Sequence, residues 1–218
     1  MSFPRPVRAV VFDLDGTLID SESLVRASYF SACGEFGIAM SDAQFLSLVG
    51  LHRDANDHKM RGYYGDDFPL ADFYECVRGH IGEQVAPLKP GALELMDALD
   101  AMPAPFALAT SSRRPWVERH FAAHNLTHRF RAIVARDDCI NGKPHPEPYL
   151  KAAAALSVEP RDVLALEDSH AGAESAHAAG MMVAVIPDLL TPDEATRQRA
   201  LAIVQTLHDV RALLSSAL

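Results

Sequence analysis

Five short apolar runs punctuate the chain: Val7–Phe12, Phe106–Ala109, Ala132–Ala135, Val163–Leu166 and Met182–Ile186. Each is nearly continuous rather than alternating, and mostly β-branched or aliphatic. That is the pattern of strands buried on both faces. A shorter run, Ala202–Val204, predicts a sixth strand. Between the runs, apolar positions recur at helical spacing. Leu93, Met96 and Leu99 share one face of a helix predicted over Gly91–Ala101. Pro115 opens another over Pro115–His124, where a missing proline N–H costs nothing in the first turn. Glu147–Leu156 and the alanine-rich Ala171–Ala179 complete the set, with Gly180 in place to end the latter. The small side chains of that last helix would let it approach a sheet closely. Strand–helix–strand repetition implies right-handed crossovers, so the expected class is α/β: a Rossmann-like parallel sheet with helices on both faces.

One stretch breaks the alternation. From about Asp20 to Val85 the periodicity is helical throughout, over Ser23–Phe36, Asp42–Val49, Asp54–Arg61 and Leu70–Val85. A helical block between the first strand and the Gly91 helix predicts an inserted four-helix subdomain, residues 19–86, hung on a core made of 1–18 and 87–218. The two linkers, near Leu18–Asp20 and Ala86–Lys89, are placed to act as a hinge.

The 218 residues carry 20 Lys+Arg against 29 Asp+Glu, a net charge of −9, which argues against a general nucleic-acid binder with its basic face. No run approaches the roughly 18 apolar residues of a membrane-spanning helix. The opening Met1-Ser2-Phe3-Pro4-Arg5-Pro6 lacks the basic-then-apolar order of a secretory signal. Cys33, Cys76 and Cys139 are scattered and odd in number, which fits a reducing cytoplasm and small buried side chains better than a disulfide or zinc framework. Ten histidines include no HExxH pair, and His120 and His124, four apart, have no third ligand nearby in sequence. Trp116, Phe30, Phe36, Phe68 and Phe73 read as packing residues.

The chemistry gathers at strand ends. The first strand runs into Asp13-Leu14-Asp15-Gly16-Thr17, which puts two carboxylates on one side with Leu14 turned away and a glycine for a sharp turn. Sites in open parallel sheets lie outside the C-terminal strand ends. The second strand ends in Thr110-Ser111-Ser112, the turn Asn141-Gly142-Lys143-Pro144 presents a lysine, and the fourth strand ends in Glu167-Asp168-Ser169. Each piece alone has a plain reading. Asp15 and its neighbours could be turn formers, the hydroxyls a helix cap, Lys143 a solvated loop residue and the acid pair a capping site.

The ordered combination is more specific. DxDGT, then a hydroxyl, then lysine, then Glu-Asp resembles the haloacid dehalogenase superfamily of phosphohydrolases over nearly the whole chain. The inserted helices look like the four-helix cap of the branch that contains β-phosphoglucomutase and phosphoglycolate phosphatase, and Gly50-Leu51-His52-Arg53 matches that branch's Gly-x-x-Arg element. The resemblance implies a phosphatase in which Asp13 is the nucleophile that becomes an aspartyl-phosphate and Asp15 is the acid and base. It implies that Thr110, Ser111 and Lys143 hold the phosphoryl oxygens. Mg²⁺ is then bound by Asp13, the Asp15 backbone carbonyl and Asp168, with Glu167 behind them, while Arg53 reads the distal part of the substrate. Physical chemistry agrees with such a set. A carboxylate attacking a phosphate about 4 Å away meets a repulsion of roughly 4 kcal/mol at an effective dielectric near 20, which a divalent cation and a lysine offset.

The expected substrate is a small phosphorylated metabolite, a sugar or hydroxy-acid phosphate, handled by a monomer or homodimer. A phosphosugar mutase on the same scaffold is the alternative. Against it, the β-phosphoglucomutase histidine of the cap-linker region aligns with Val25, which carries no proton, and Thr17 follows the phosphatase pattern. A metal-free dehalogenase would need neither Asp15 nor the Glu167-Asp168 pair, and a phospho-accepting receiver domain would lack the helical insertion.

Overall fold

The computed structural model describes residues 3–49, 53–102 and 104–215. Gly50, Leu51 and His52 of the Gly-x-x-Arg element lie outside the described residues, as do Met1 and Ser2 of the opening segment. In chain order the elements are β1 (Ala9–Phe12), α1 (Ser21–Glu35), α2 (Asp42–Leu46), α3 (Arg53–Tyr64), α4 (Leu70–Ile81), α5 (Ala92–Ala101), β2 (Phe106–Ala109), α6 (Arg114–Ala123), β3 (Ala132–Val134), α7 (Glu147–Leu156), β4 (Val163–Glu167), α8 (His170–Ala178), β5 (Met182–Val185), α9 (Glu194–Arg199), β6 (Ala202–Ile203) and α10 (Leu207–Ser215). All six predicted strands form, in one parallel sheet of order β3-β2-β1-β4-β5-β6. The winding reverses on either side of β1, which opens a crevice at the C-terminal strand ends. Register sets Phe12 opposite both Leu108 and Leu166, so the residues that follow β1, β2 and β4 emerge level with one another.

The two faces of the sheet are packed differently. On one, Ala9, Val11, Ala107, Ala109 and Ala165 meet Tyr149, Ala152 and Ala153 of α7 and Ala173 and Ala176 of α8. Alanine against alanine brings these helices close to the strands, as the composition of the Ala171–Ala179 run suggested. On the other face Phe12, Phe106 and Phe130 pack edge to face, with centroids 4.9–5.8 Å apart.

The chain forms two compact units, Met1–Asp20 with Pro87–Leu218, and Ser21–Ala86. In the first, the outgoing and returning strands of chain are tied together: the Asp20 N–H donates to the Pro87 carbonyl (2.8 Å) and the Lys89 N–H to that of Leu18 (2.9 Å). In the second, α1 packs on α4. Tyr29, Phe36 and Phe68 surround the buried Phe73 at 5.4–5.8 Å. Phe36, Phe68 and Phe73 are therefore packing residues, and Phe30 lies under the Arg26 guanidinium. A reciprocal Ser41–Gln44 capping box starts α2.

Several boundaries move. β1 begins at Ala9, where pairing with Val163 starts, and Val7 is only half-buried. β4 runs one residue further than expected, because Glu167 still pairs with Val185. The last inserted helix stops at Ile81 rather than Val85, since Gly82 takes φ +42°. The second stops at Leu46 rather than Val49, and the third continues past Arg61 to Tyr64. Helices α9 and α10 were not anticipated.

Candidate active site

Asp13 leaves the end of β1 with its N–H bonded to the Leu166 carbonyl (2.9 Å), and the residue is 6% exposed. Lys143, from the loop before α7, donates to Asp13 Oδ1 (2.5 Å) and to Glu167 Oε1 (2.6 Å). Glu167 is fully buried in the end of β4. It also accepts from the Tyr149 hydroxyl (2.6 Å), the Ser169 hydroxyl (2.9 Å) and the Ser169 N–H (3.2 Å). The same Ser169 hydroxyl oxygen accepts from Gly172 N–H (3.1 Å) and caps α8. The buried glutamate is thus saturated with donors, which is the condition for holding a charge inside a protein. Through Lys143 it is tied to Asp13.

Three carboxylates converge here. Oxygens of Asp13, Glu167 and Asp168 all lie within 4.8 Å of one another. Burial pushes the Asp13 carboxyl up to about 8; Lys143 pulls it down, while Glu167 and Asp15 add to the rise. Asp168 is held well above the usual carboxylate range by burial, Glu167 and Asp13, against the pull of Lys143. Burial alone would lower the Lys143 ammonium, but Asp13 and Glu167 outweigh it and the net shift is upward. One lysine therefore faces an excess of acid, and Asp13 and Asp168 hold their protons more tightly than free carboxyls do, which is the strain a bound cation would relieve. The donor set is all oxygen, which suits a hard divalent ion such as Mg²⁺. Space is reserved beside it: a Cβ on Gly16, which has φ +80°, would sit 2.3 Å from Asp168 Oδ2. Thr17 donates to Asp168 Oδ1 at 3.4 Å.

Thr110 is 2% exposed at the end of β2. Its Oγ1 accepts from the Ser112 N–H (2.9 Å), which leaves the hydroxyl hydrogen available as a donor. Ser111 is exposed on that turn, while Ser112 turns inward and donates to Asp15 Oδ2 (2.5 Å). Asp15 Oδ1 accepts from the Trp116 indole N–H (3.0 Å). Trp116 is therefore not only a packing residue. Arg53 opens α3 in the other unit, where it donates to Asp57 Oδ1 (2.9 Å) and lies 3.8 Å over the Tyr74 ring.

Asp188, just after β5, was not singled out from sequence. Its Oδ1 accepts from Lys89 (2.8 Å), and its buried Oδ2 has no partner among the described residues. That oxygen lies 3.3 Å from the position a Gly16 Cβ would take, so a fourth carboxylate borders the cluster. The hint in sequence was an Asp after a strand; its lysine lies 99 residues away. The histidines also hold a surprise. His80 joins Cys76 and Glu35 in a group with ligand atoms within 4.8 Å, at the ends of α4 and α1. Glu35 accepts from both Cys76 (3.4 Å) and His80 (2.7 Å), so the three satisfy one another. Cys33 and Cys139 are buried, while Cys76 is half-buried.

Residues 10–186 match the family model of the haloacid dehalogenase-like hydrolases. The chain belongs to that family. Protein CbbY of Rhodobacter capsulatus is 32% identical over 204 residues, spanning 88% of each chain. Hexitol phosphatase B of Escherichia coli is 31% identical over 194 residues, spanning 86% of each. A haloacid dehalogenase family hydrolase from Deinococcus radiodurans, solved with bound phosphate and sodium, superposes with a TM-score of 0.85 at 26% identity, covering 97% of this chain and 96% of its own. This haloacid dehalogenase-like hydrolase is a phosphatase. Among its described residues no helix is long and apolar enough to cross a membrane.

Proposed function

We propose that the chain is a Mg²⁺-dependent phosphomonoesterase that cleaves a small sugar or hydroxy-acid phosphate through an aspartyl-phosphate on Asp13. The observation that carries this reading is the Lys143 bridge between Asp13 and the buried Glu167. It fixes a carboxylate at a strand end and sets a cation where an incoming phosphoryl group needs one. The polyol phosphatase named among the relatives supports the substrate class.

In this reading an Asp13 oxygen attacks phosphorus, the new O–P bond forms, and the ester O–P bond breaks. The departing alkoxide takes its proton from Asp15. Asp15, now a carboxylate, takes a proton from water as that water attacks the aspartyl-phosphate, which frees Asp13 and inorganic phosphate. Thr110 and Lys143 hold the non-bridging oxygens, and Ser111 lies on the same turn. Asp13, the Asp15 backbone carbonyl and Asp168 would hold Mg²⁺, which supplies positive charge to the phosphoryl group when bound. Residues 1–18 and 87–218 act as the catalytic core and 19–86 as the cap, where Arg53 reads the leaving group.

A panel of phosphorylated metabolites assayed for phosphate release tests this, with and without Mg²⁺. Release from sugar, polyol or hydroxy-acid phosphates, abolished by EDTA, restored by Mg²⁺ and poorly restored by Ca²⁺, is expected. Full activity in chelator would overturn the metal's role. Isomerisation of β-glucose 1-phosphate outpacing phosphate release would favour the mutase instead. Val25, half-buried in α1, has no proton to offer such a reaction.

A further inference from the structure

The acid and base of the proposed reaction, Asp15, is held by two donors of different character. Trp116 Nε1–H reaches Oδ1 at 3.0 Å, and the Ser112 hydroxyl reaches Oδ2 at 2.5 Å. Neither contact is local, since the partners lie 101 and 97 residues away in sequence. An indole N–H donates only, so the oxygen it touches must always accept. A hydroxyl both donates and accepts, so it can serve an oxygen whether or not that oxygen carries a proton.

The indole itself is fixed. Trp116 follows Pro115 in the first turn of α6. Its ring lies against the His120 imidazole, with centroids 4.3 Å apart, and its carbonyl oxygen bonds His120 Nδ1 at 2.9 Å. His120 is wholly buried, and burial lowers its pKa, so the neutral ring packs under the tryptophan. The Arg119 guanidinium lies 5.4 Å from the indole on the same helix. Ser112 is anchored too, through its N–H to Thr110 Oγ1.

We propose that Trp116 is a positioning residue for Asp15: it locks Oδ1 as a permanent acceptor, so that the catalytic proton travels on Oδ2, beside Ser112. This rests on the phosphatase reading, in which Asp15 protonates the leaving oxygen. A carboxylic acid has two chemically equivalent oxygens, and only the one facing the leaving group is productive. A donor-only partner on the other oxygen removes the wrong choice.

The test compares wild type, Trp116→Phe, Asp15→Asn and the double variant on two substrates with Mg²⁺. One is the best alkyl phosphate from the panel, whose alkoxide must be protonated. The other is p-nitrophenyl phosphate, whose phenolate leaves without a proton. Trp116→Phe should lower kcat/KM for the alkyl ester about 10-fold, a part of what a general acid supplies. It should change kcat/KM for p-nitrophenyl phosphate little, because that ratio covers only the steps through release of the phenolate and not the later hydrolysis that Asp15 also serves. It should add nothing in the Asp15→Asn background. Equal losses on both substrates, no loss on either, or additivity with Asp15→Asn would overturn the proposal.

Trp116 is the sole tryptophan, so its emission reports the contact directly. If Trp116→Phe does not fold, the emission of folded Asp15→Asn decides. A shift in wavelength or yield from wild type is expected, and identical spectra would overturn the proposal. Should wild type release no phosphate from any substrate, the phosphatase reading fails, which is a different outcome from an unaffected Trp116→Phe in an active enzyme.

Discussion

At the scale of single residues, the account turns on charges kept out of water. Asp13 sits at about 8 instead of 3.8 because burial and neighbouring carboxylates outweigh the pull of Lys143. A group raised on folding contributes stability that is fully present below its unfolded pKa and is lost as pH rises through its folded one. Metal-free protein should therefore lose stability between about pH 4 and pH 8, and Asp168, also raised, acts in the same direction. Thermal melts in EDTA across that range should show a falling Tm, with a flatter fall in Asp13→Asn. Mg²⁺ should raise Tm most at the alkaline end, where the protons it displaces are fewest. A Tm that climbed with pH, or an Asp13→Asn slope equal to wild type, would contradict this. Asp13, Asp15, Lys143, Glu167 and Asp168 could be picked out as candidates because each follows a recognisable apolar run or lies in a turn, and the structure brings Asp13, Lys143, Glu167 and Asp168 together. The contacts of Trp116 and Asp188 could not be, since a tryptophan two residues into a helix and an aspartate after a strand look the same whether or not they face a site. Their partners, Asp15 and Lys89, lie 101 and 99 residues away.

At the scale of elements, helix docking sets the geometry of the site. Gly172 stands in the first turn of α8, and a Cβ there would lie 1.8 Å from Glu167 Oε1. Glu167 cannot swing aside cheaply, because Lys143, Tyr149 and Ser169 all hold it. Gly172→Ala should cost about 1–3 kcal/mol, as overpacking does. It should also cut activity beyond what lost fold explains, measured as kcat on the fraction still folded. Gly34 is the opposite case. It lies within α1 with no atom within 4 Å of a would-be Cβ. Gly34→Ala should gain up to about 1 kcal/mol of helix propensity and leave kcat alone. Chemical denaturation of both variants checks the pair, and equal stabilities would contradict it. Strands were legible as elements because burial on both faces demands unbroken apolar runs. Short polar helices such as α9, Glu194–Arg199, leave no periodic stripe to read. Gly82 marked the end of α4 only through a backbone angle, +42°, that a sequence does not print.

At the scale of the molecule, the chain forms two compact units, and an inserted block could be expected from the sequence because helical periodicity replaces strand runs between the first strand and Gly91. Lys143 belongs to the unit that carries the carboxylates, and Arg53 to the inserted one. Losing Lys143 should lower kcat/KM for every phosphate ester. Arg53→Ala should lower it for the best metabolite far more than for p-nitrophenyl phosphate; equal losses from both variants on both substrates would show that Arg53 does not read the leaving group. Substrate choice itself was illegible, because in the proposed reading it falls to side chains scattered over the inserted helices with no motif to tie them. The central claim, that Asp13 is the nucleophile of a phosphatase, is tested most directly by phosphate release from Asp13→Asn beside wild type, both with Mg²⁺ and both shown folded by circular dichroism. Wild type should turn over a small phosphate ester while Asp13→Asn stays at background. Turnover by Asp13→Asn at the wild-type rate would contradict the account.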